Sequence, residues 1–414
     1  MLYKSWEGFC LGAQEPELFP SGAASAAAPF APLVLLVRRE PLRSRGMFAI
    51  RSLSELSEEE GLSCLLPPAQ EPEQTLLGRF VRENGATVLN LAFSNALRFL
   101  QSWFRAPREG LRVTLVGLGD VGGTVLTALK LLGREISEIS IFDPNEKQCA
   151  RYELELNQVL PIADGTELPR VSVCPSEAEL FDCDLFLFTA SRGVPGLDSG
   201  VTDVRMAQLA ANRPMLAHYA RLARKAGFRG LFCQISDPVD HLACTVFLES
   251  NRAPEGQLDF AGLLPEQVRG FGLGVMAARA AYYAQKAQLD FSAGRLYGPH
   301  GEGLIVANRA DAGYDAAVSA RLTEQTLRAN LAVRALGFKP YLAPGLSSAA
   351  VSILRLVRGQ THYAACALDG VYFGCRERFG AQGPELLREA LAPALFARLE
   401  QTHALLRKAE SPCR

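Results

Sequence analysis

A run of buried-strand residues leads directly into a glycine-rich turn in the first third of the 414-residue chain. Val113–Val116 reads V-T-L-V, and Gly117–Gly122 reads G-L-G-D-V-G. The first glycine of G-x-G-x-x-G permits a tight turn, the second lets a pyrophosphate approach the backbone, and the third lets the helix pack on the strand. The helix predicted over Val121–Leu132 points its N-terminal N–H groups and its positive dipole end at an anion. The pattern therefore predicts a dinucleotide-binding unit between Leu111 and Asp143.

An aspartate at the end of the next predicted strand indicates which dinucleotide is bound. Asp143 follows the run Ile139–Phe142 and lies roughly 20 residues beyond the glycine turn, where a carboxylate can accept the ribose hydroxyls. The same charge repels a 2′-phosphate, and the nearest following cation is Lys147, so the pattern favours NAD over NADP. The alternative is structural, because Asp143 before Pro144 can also cap a helix.

Strands and helices alternate after the glycine turn, as they do in a doubly wound sheet. Near-continuous apolar runs such as Leu185–Phe188 are typical of parallel strands that are covered on both faces. These features predict an α/β fold with a Rossmann domain over residues 109–250. The predicted strands are Arg112–Val116, Glu138–Phe142, Arg170–Cys174, Leu185–Thr189 and Gly230–Ile235, and the helices between them include Val121–Leu132 and Ala207–Ala226.

The chain on either side of this domain has a different character. Residues 1–108 hold an Ala/Pro-rich stretch, an acidic run and a proline-containing linker, and we predict an accessory region of unknown role. Two short strands in it, Leu33–Val37 and Met47–Ser52, predict a hairpin, and a helical pattern covers Thr75–Phe104. Residues 251–414 mix helices with short strands, as an α+β domain does. The two long predicted helices there are Asp315–Leu336 and Pro393–Lys408.

Composition argues against several classes of function. The formal net charge of −1 lacks the basic excess of a nucleic-acid-binding protein. No apolar run reaches the roughly 18–20 residues that span a bilayer, and the first residues lack a signal-peptide pattern. The ten cysteines include no C-x-x-C pair, which argues against a zinc site and favours reduced thiols. We therefore predict a cytoplasmic protein that binds no nucleic acid, membrane or metal.

Seven short segments follow one another in order between Leu111 and Lys408. Together they resemble the lactate/malate dehydrogenase family, although each alone is a weak signal. The segments are Thr189-Ala190, Arg205 with Asn212 seven residues later, Ser236–Asp240 (S-D-P-V-D), Val268–Gly270 through Arg279, Gly298–Glu302 (G-P-H-G-E), Gly345–Ser347 (G-L-S) and Leu391–Leu399.

The resemblance implies hydride exchange between NAD(H) and a 2-hydroxy or 2-keto acid, by a Rossmann domain followed by an α+β catalytic domain. His300 matches the histidine that exchanges the hydroxyl proton, and the ordinary imidazole pKa of about 6.5 suits that task. Arg279 matches the arginine that binds the substrate carboxylate through two parallel hydrogen bonds. Arg205 matches a mobile-loop arginine that polarises the carbonyl. The residues implied to bind the cofactor are Gly117, Gly119, Asp120, Val121, Gly122, Asp143, Thr189, Ala190 and Asn212.

Each of these catalytic candidates also has a purely structural interpretation. His300 lies between Pro299 and Gly301 and can be a loop residue, Arg279 can be a solvated helix cation, and Arg205 can be a surface charge. His241, directly after the S-D-P-V-D segment, is the second candidate for a catalytic histidine.

Two departures from the family pattern concern the mechanism. The family's histidine is held by an aspartate three positions before the carboxylate-binding arginine, and this chain has Met276 there. A thioether cannot accept a strong hydrogen bond from imidazole or stabilise imidazolium. The asparagine of the family's S-N-P turn is replaced by Asp237. Either Asp237 has taken over the orienting role, which makes it a catalytic and substrate-binding residue, or the proton relay has decayed.

Three functions follow from these observations. The leading one is an NAD-dependent 2-hydroxyacid dehydrogenase, whose substrate stays open because Gly200 and Ser199 stand where family members carry a discriminating arginine or glutamine. The alternative is an NAD-binding pseudoenzyme with a regulatory role, because of Met276. A third is an enzyme of another specificity, such as an amino-acid or sugar-acid dehydrogenase. The resemblance also implies a homodimer or homotetramer, in which the N-terminal region caps or replaces an interface.

Overall fold

Two large β-sheets and one small strand pair organise the computed structural model, which describes residues 1–69, 75–105, 110–163, 165–192 and 204–410. The six-stranded sheet belongs to the N-terminal region. Its strands are β1 (Leu2–Trp6), β2 (Phe9–Ala13), β3 (Ala24–Ser25), β4 (Leu33–Val37), β5 (Met47–Ile50) and β6 (Ala86–Asn90), and the helices beside them are α1 (Ser54–Ser57), α2 (Leu76–Asn84) and α3 (Ala96–Trp103).

The strand order of this sheet is β3-β1-β2-β4-β6-β5, with β4 parallel to both β2 and β6. The predicted hairpin between β4 and β5 is therefore wrong, because β6 lies between them. The helical pattern over Thr75–Phe104 is interrupted as well. α2 ends before Gly85, whose φ of +72° favours glycine, and the five residues of β6 that follow are all buried. Burial between two strands outweighs the local helical periodicity.

The glycine turn lies in the parallel half of the nine-stranded sheet. The order β9-β8-β7-β10-β11-β12, with every pair parallel, is that of the doubly wound dinucleotide-binding fold. The predicted α/β fold is confirmed. The strands are β7 (Leu111–Val116), β8 (Ile136–Phe142), β9 (Arg170–Val173), β10 (Leu185–Phe188), β11 (Leu231–Gln234) and β12 (Val268–Gly270), and the helices between them are α4 (Asp120–Leu132), α5 (Glu146–Leu156), α6 (Val204–Lys225) and α7 (Val239–Ser250).

The same sheet continues into the C-terminal part of the chain, because an antiparallel strand pairs with β12. A separate two-stranded pair, joined by the loop that contains His300, lies beside it. The strands are β13 (Arg295–Tyr297), β14 (Ile305–Ala307), β15 (His362–Leu368), β16 (Val371–Gly380) and β17 (Gly383–Leu386), and the helices are α8 (Leu273–Lys286), α9 (Ala316–Ala335), α10 (Val351–Val357) and α11 (Pro393–Glu410). α9 begins after Asp315, whose carboxylate accepts the N–H groups of Ala317 and Val318.

The N-terminal region packs tightly against the rest of the molecule. Phe93 contacts Phe247 of α7 edge to face, with ring centroids 6.3 Å apart. The buried carboxylate of Glu266 accepts the backbone N–H groups of Gly46 (2.9 Å) and Met47 (3.0 Å). A buried acid that is bonded to backbone groups of a distant segment fixes the register of that segment. The two sheets therefore share one interior.

None of the helices in the described ranges combines the length and the apolar character that a bilayer span requires. The nine cysteines in the same ranges are outside any disulfide, and eight of them are buried.

Candidate active site

Two glycines of the turn are required by close backbone approaches at the carboxyl ends of β7 and β10. Gly117 has φ of +95°, and a Cβ atom there would lie 2.5 Å from the backbone nitrogen of Ala190. A Cβ atom on Gly122 would lie 1.9 Å from the carbonyl oxygen of Gly117. Thr189 Oγ1 donates to that same carbonyl oxygen at 2.7 Å. The turn is therefore held against the end of β10, at the point where the strand order reverses.

Gly119 differs from these two glycines, because a Cβ atom there would meet no heavy atom within 4 Å. It precedes the first residue of α4, so the open space lies at the N-terminus of that helix. Asp120 is the first helical residue, and its carboxylate pairs with Lys339 Nζ at 3.2 Å. The lysine offsets a negative charge that would otherwise oppose an anion at this position.

Asp143 ties the glycine turn to the end of β8. Its Oδ2 accepts the N–H of Leu118 (2.8 Å), and its Oδ1 accepts the N–H of Asn145 (2.9 Å). The cap of α5 is Asn145, whose side chain accepts the N–H of Gln148. The capping role considered for Asp143 therefore falls to its neighbour, and each Asp143 oxygen retains a second lone pair for a ribose hydroxyl.

The turns after β10 and β11 are joined by side-chain hydrogen bonds. Ser236 Oγ donates to the carbonyl oxygen of Ala190 (2.7 Å), and Asn212 Nδ2 donates to the carbonyl oxygen of Asp237 (2.9 Å). Asn212 also accepts the N–H of Arg192 (2.9 Å) and is fully buried. Its amide thus orients the turns after β10 and β11, and its predicted contact with a cofactor stays a prediction.

The histidine from the β13–β14 loop lies beside the aspartate that follows β11. His300 Nε2 is 3.6 Å from Asp237 Oδ1. The imidazole side chain is 14% exposed, whereas that of Asp237 is 50% exposed, so the aspartate borders open space. Gly272 packs under the histidine, since a Cβ atom there would lie 2.7 Å from His300 Cγ. The backbone N–H of His300 donates to the buried Asp240 Oδ2 at 2.8 Å.

Arg279 lies on α8 and is close enough to Asp237 for the two charges to interact. Burial lowers the pKa of its guanidinium, whereas Tyr283 and the negative charge of Asp237 raise it. Its Nη1 lies 3.6 Å from Met276 Sδ. His300, Asp237 and Arg279, which are far apart in the sequence, therefore form one cluster around Asp237.

No family model matches the chain. In sequence it is 25% identical over 202 residues to the malate dehydrogenase of Sulfurimonas denitrificans, a match that covers 48% of this chain and 57% of the relative. It is 27% identical over 200 residues to the L-lactate dehydrogenase of Mycoplasma pneumoniae, covering 48% of this chain and 58% of that enzyme. The chain thus spans less than two thirds of the length of these relatives.

Solved structures match over a greater length. A lactate dehydrogenase from a Medee basin deep-sea metagenome library superimposes with a TM-score of 0.59 at 18% identity, covering 73% of this chain and 99% of the other. The malate dehydrogenase of Archaeoglobus fulgidus, solved in complex with NADH, gives a TM-score of 0.59 at 18% identity, with 72% and 98% covered. The fold therefore agrees over almost the whole of each dehydrogenase.

The relatives and the solved structures that the chain resembles are lactate and malate dehydrogenases. The family resemblance predicted from seven short segments is thereby confirmed. The remaining quarter of the chain is the part that the family fold does not cover.

One family residue lies partly outside the described residues. The loop over residues 193–203, with Ser199 and Gly200, is not described, nor is the side chain of Arg205 at the start of α6. The predicted role of Arg205 therefore stays a prediction.

Sequence reasoning missed two residues at this family site. Asp240, 4% exposed, holds the backbone of His300. The sequence signal that could have identified Asp240 is its position as the last residue of the S-D-P-V-D segment. Lys339 pairs with Asp120 across 219 positions of sequence, and no local pattern marked it.

Proposed function

We propose that this protein is an NAD(H)-dependent oxidoreductase that exchanges a hydride with a 2-hydroxy or 2-keto acid. The observation that carries the proposal is the grouping of His300, Asp237 and Arg279. Ser236, the chain neighbour of Asp237, donates to the carbonyl oxygen of Ala190, and the backbone of Ala190 packs closely against Gly117 of the glycine turn. A proton-exchanging group, a carboxylate-binding group and a dinucleotide turn thus meet at one sheet edge.

The residues at the turn fit NAD(H). The space at Gly119 would be filled by any side chain, and it lies at the N-terminus of α4, where a pyrophosphate is stabilised. Asp143 is the residue that would accept the ribose hydroxyls and reject a 2′-phosphate. When bound, NAD(H) supplies or accepts the hydride, and the chain itself handles binding and protons.

Each side chain of the cluster has a distinct task. His300 takes the hydroxyl proton of the substrate during oxidation and returns it during reduction. Asp237, 3.6 Å from Nε2, stabilises the imidazolium that forms, which replaces the support lost with Met276. Arg279 binds the substrate carboxylate, and because it is largely withdrawn from water, that pair is strengthened. The predicted Arg205 completes the site from the loop.

Substitution of the histidine tests the proposal. His300→Ala is expected to abolish NADH oxidation with 2-keto acids while leaving the dissociation constant for NADH unchanged, because His300 lies outside the glycine turn. His218→Ala serves as a matched control, since His218 is half exposed and pairs with Glu177 away from the cluster. A broad keto-acid screen without turnover, in protein that still binds NADH, would reject the dehydrogenase.

The second candidate is an NAD-binding pseudoenzyme, which Met276 favours. Its sulfur contacts Arg279, so the position opposite the arginine offers no carboxylate to the histidine. If this candidate is correct, we expect NADH binding without turnover in the unmodified protein and recovery of turnover in Met276→Asp. Turnover by the unmodified protein would eliminate it.

We further propose a cytoplasmic homodimer or homotetramer with an accessory N-terminal region. The exposed apolar side chains of Leu336, Phe338 and Leu342 after α9 support self-association, because isolated monomers rarely expose such groups together. Sedimentation velocity tests this: a monomer across the concentration range would contradict it.

A further inference from the structure

The carboxylate of Asp237 lies beside the position that the reacting group of a substrate would occupy. If the proposed function holds, on which this inference rests, the heteroatom on C2 of the substrate contacts His300 Nε2. Asp237 Oδ1 is 3.6 Å from that nitrogen, and half of the Asp237 side chain is exposed. The heteroatom of any substrate bound there therefore lies within a few ångströms of a negative charge.

The described charges around the heteroatom position have a clear arrangement. Arg279 is the cation, and Asp237 is the anion, with a half-exposed side chain. The other nearby carboxylate, Asp240, is buried and accepts the backbone N–H of His300. A ligand that complements this arrangement carries a carboxylate for Arg279 and a cationic hydrogen-bond donor for Asp237.

A keto oxygen matches this arrangement poorly. It has no proton to donate, and it gains negative charge as hydride reaches C2, which the neighbouring carboxylate opposes. An iminium nitrogen carries a positive charge and two N–H donors in the ground state. Opposite charges attract each other, so Asp237 assists the binding of an imine and keeps the imine protonated.

We propose that this site reduces 2-imino acids in preference to 2-keto acids, and correspondingly oxidises 2-amino acids. In the reducing direction C2 gains a hydride from NADH, which becomes NAD⁺. The electron pair of the C=N bond moves to nitrogen, which gives a neutral amine. The amine nitrogen then takes a proton from water, so the product is the ammonium form of the amino acid, while neutral His300 accepts an N–H of the bound nitrogen. In the reverse direction the ammonium group first loses that proton to water, and the hydride then leaves.

The test compares the two substrate classes in the full-length protein. NADH oxidation is measured with a panel of 2-keto acids, each with and without ammonium chloride, and with Δ1-pyrroline-2-carboxylate, a cyclic imine that needs no ammonia. We expect kcat/KM for the cyclic imine to exceed that for the best keto acid by about 10-fold or more. Ammonium is expected to accelerate the turnover of keto acids.

Asp237→Asn isolates the charge. It is expected to lower kcat/KM for the imine by about 100-fold and that for the keto acids by less, so that the ratio of the two falls, whereas Asp237→Glu keeps the imine preference. Asp290→Asn makes the same chemical change at an exposed position outside the cluster and is expected to change neither activity. Unfolding curves check that Asp237→Asn is folded. We expect little change in them, because a half-exposed side chain contributes only weakly to stability.

The outcomes separate the two proposals. Turnover of keto acids that equals or exceeds that of imines, with the same response to Asp237→Asn, overturns the imine preference and leaves the hydroxyacid dehydrogenase standing. Absence of turnover with both classes, in protein that binds NADH, overturns the dehydrogenase and the imine preference together. Faster imine turnover that Asp237→Asn abolishes supports both.

Discussion

At the scale of single residues, the glycines of the turn divide into two kinds. Gly122 is required by packing, because a Cβ atom there would lie 1.9 Å from a backbone oxygen. Gly119 has open space around it, so packing within the chain does not require a glycine there. The folding of the turn thus requires Gly122, whereas the proposed requirement at Gly119 is the binding of the dinucleotide.

Alanine substitutions separate these requirements. Gly122→Ala is expected to lower the free energy of unfolding by about 2–4 kcal/mol, because the backbone of the turn must move. Gly119→Ala is expected to leave that free energy within about 0.5 kcal/mol while raising the dissociation constant for NADH. Chemical denaturation and NADH fluorescence titration measure the two effects. Equal losses of stability in both variants would contradict the distinction.

The sequence predicted the residues whose neighbours form a motif and missed those whose contacts are made by the fold alone. His300, Asp237 and Arg279 each stand in a segment with a family pattern, and the structure brings them together. Lys339 is an ordinary surface lysine in sequence, and only the return of the chain after α9 brings it to Asp120. Tertiary contacts of this kind carry no local signal.

At the scale of elements, the parallel half of the sheet was the most predictable part. Its strands are short apolar runs bounded by polar residues, and four of the five predicted strands start within one residue of the observed positions. β6 was missed, because its sequence A-T-V-L-N follows a helix and precedes another. Its strand conformation comes from pairing with β4 and β5, which the sequence alone does not encode locally.

A buried ion pair joins β12 to β16. Arg269 Nε lies 2.8 Å from Glu377 Oε1, and His362 Nε2 lies 3.2 Å from the same oxygen. Burial alone would raise the pKa of Glu377, but the charge of Arg269 and the hydrogen bond from His362 outweigh it and lower the pKa to about 2. The ionised carboxylate therefore stabilises the join between the parallel and antiparallel strands.

Glu377→Gln tests this join. It leaves the buried Arg269 charge uncompensated and is expected to cost about 3–5 kcal/mol at neutral pH. Because the folded-state pKa lies below the unfolded value, the stabilisation is present above about pH 4 and is lost as the pH falls toward 2. The variant should therefore show a weaker decline of stability in acid. Glu385→Gln, which breaks the more exposed pair with Arg378, should cost about 1 kcal/mol or less.

At the scale of the whole molecule, the N-terminal region behaves as part of the interior. Phe93 is 2% exposed and contacts both Phe247 and Phe260 from the Rossmann half of the chain. Trp103 of α3 packs on Phe379 of β16, with ring centroids 5.3 Å apart. Arg388 pairs with Glu58 at 2.8 Å. Contacts of this kind couple the unfolding of two regions.

Phe93→Ala measures the coupling. Loss of a fully buried ring is expected to cost about 3–5 kcal/mol, and the full-length protein should still unfold in one calorimetric transition that moves to lower temperature. Phe30→Ala removes a ring that is one third exposed and should have a much smaller effect. Two transitions, of which only the first moves, would show that the N-terminal region unfolds on its own.

The end strands of the two sheets lie against each other. β5 ends the six-stranded sheet and β17 ends the nine-stranded one, and a Cβ atom on Gly383 of β17 would lie 3.6 Å from the backbone nitrogen of Ala49 of β5. Thr87 Oγ1 donates to the carbonyl oxygen of Gln382 at the same place. Open strand edges recruit other chains into fibrils. The docking of the N-terminal region therefore shields one edge of each sheet. Variants that loosen this docking are the ones in which amyloid-like assembly should begin.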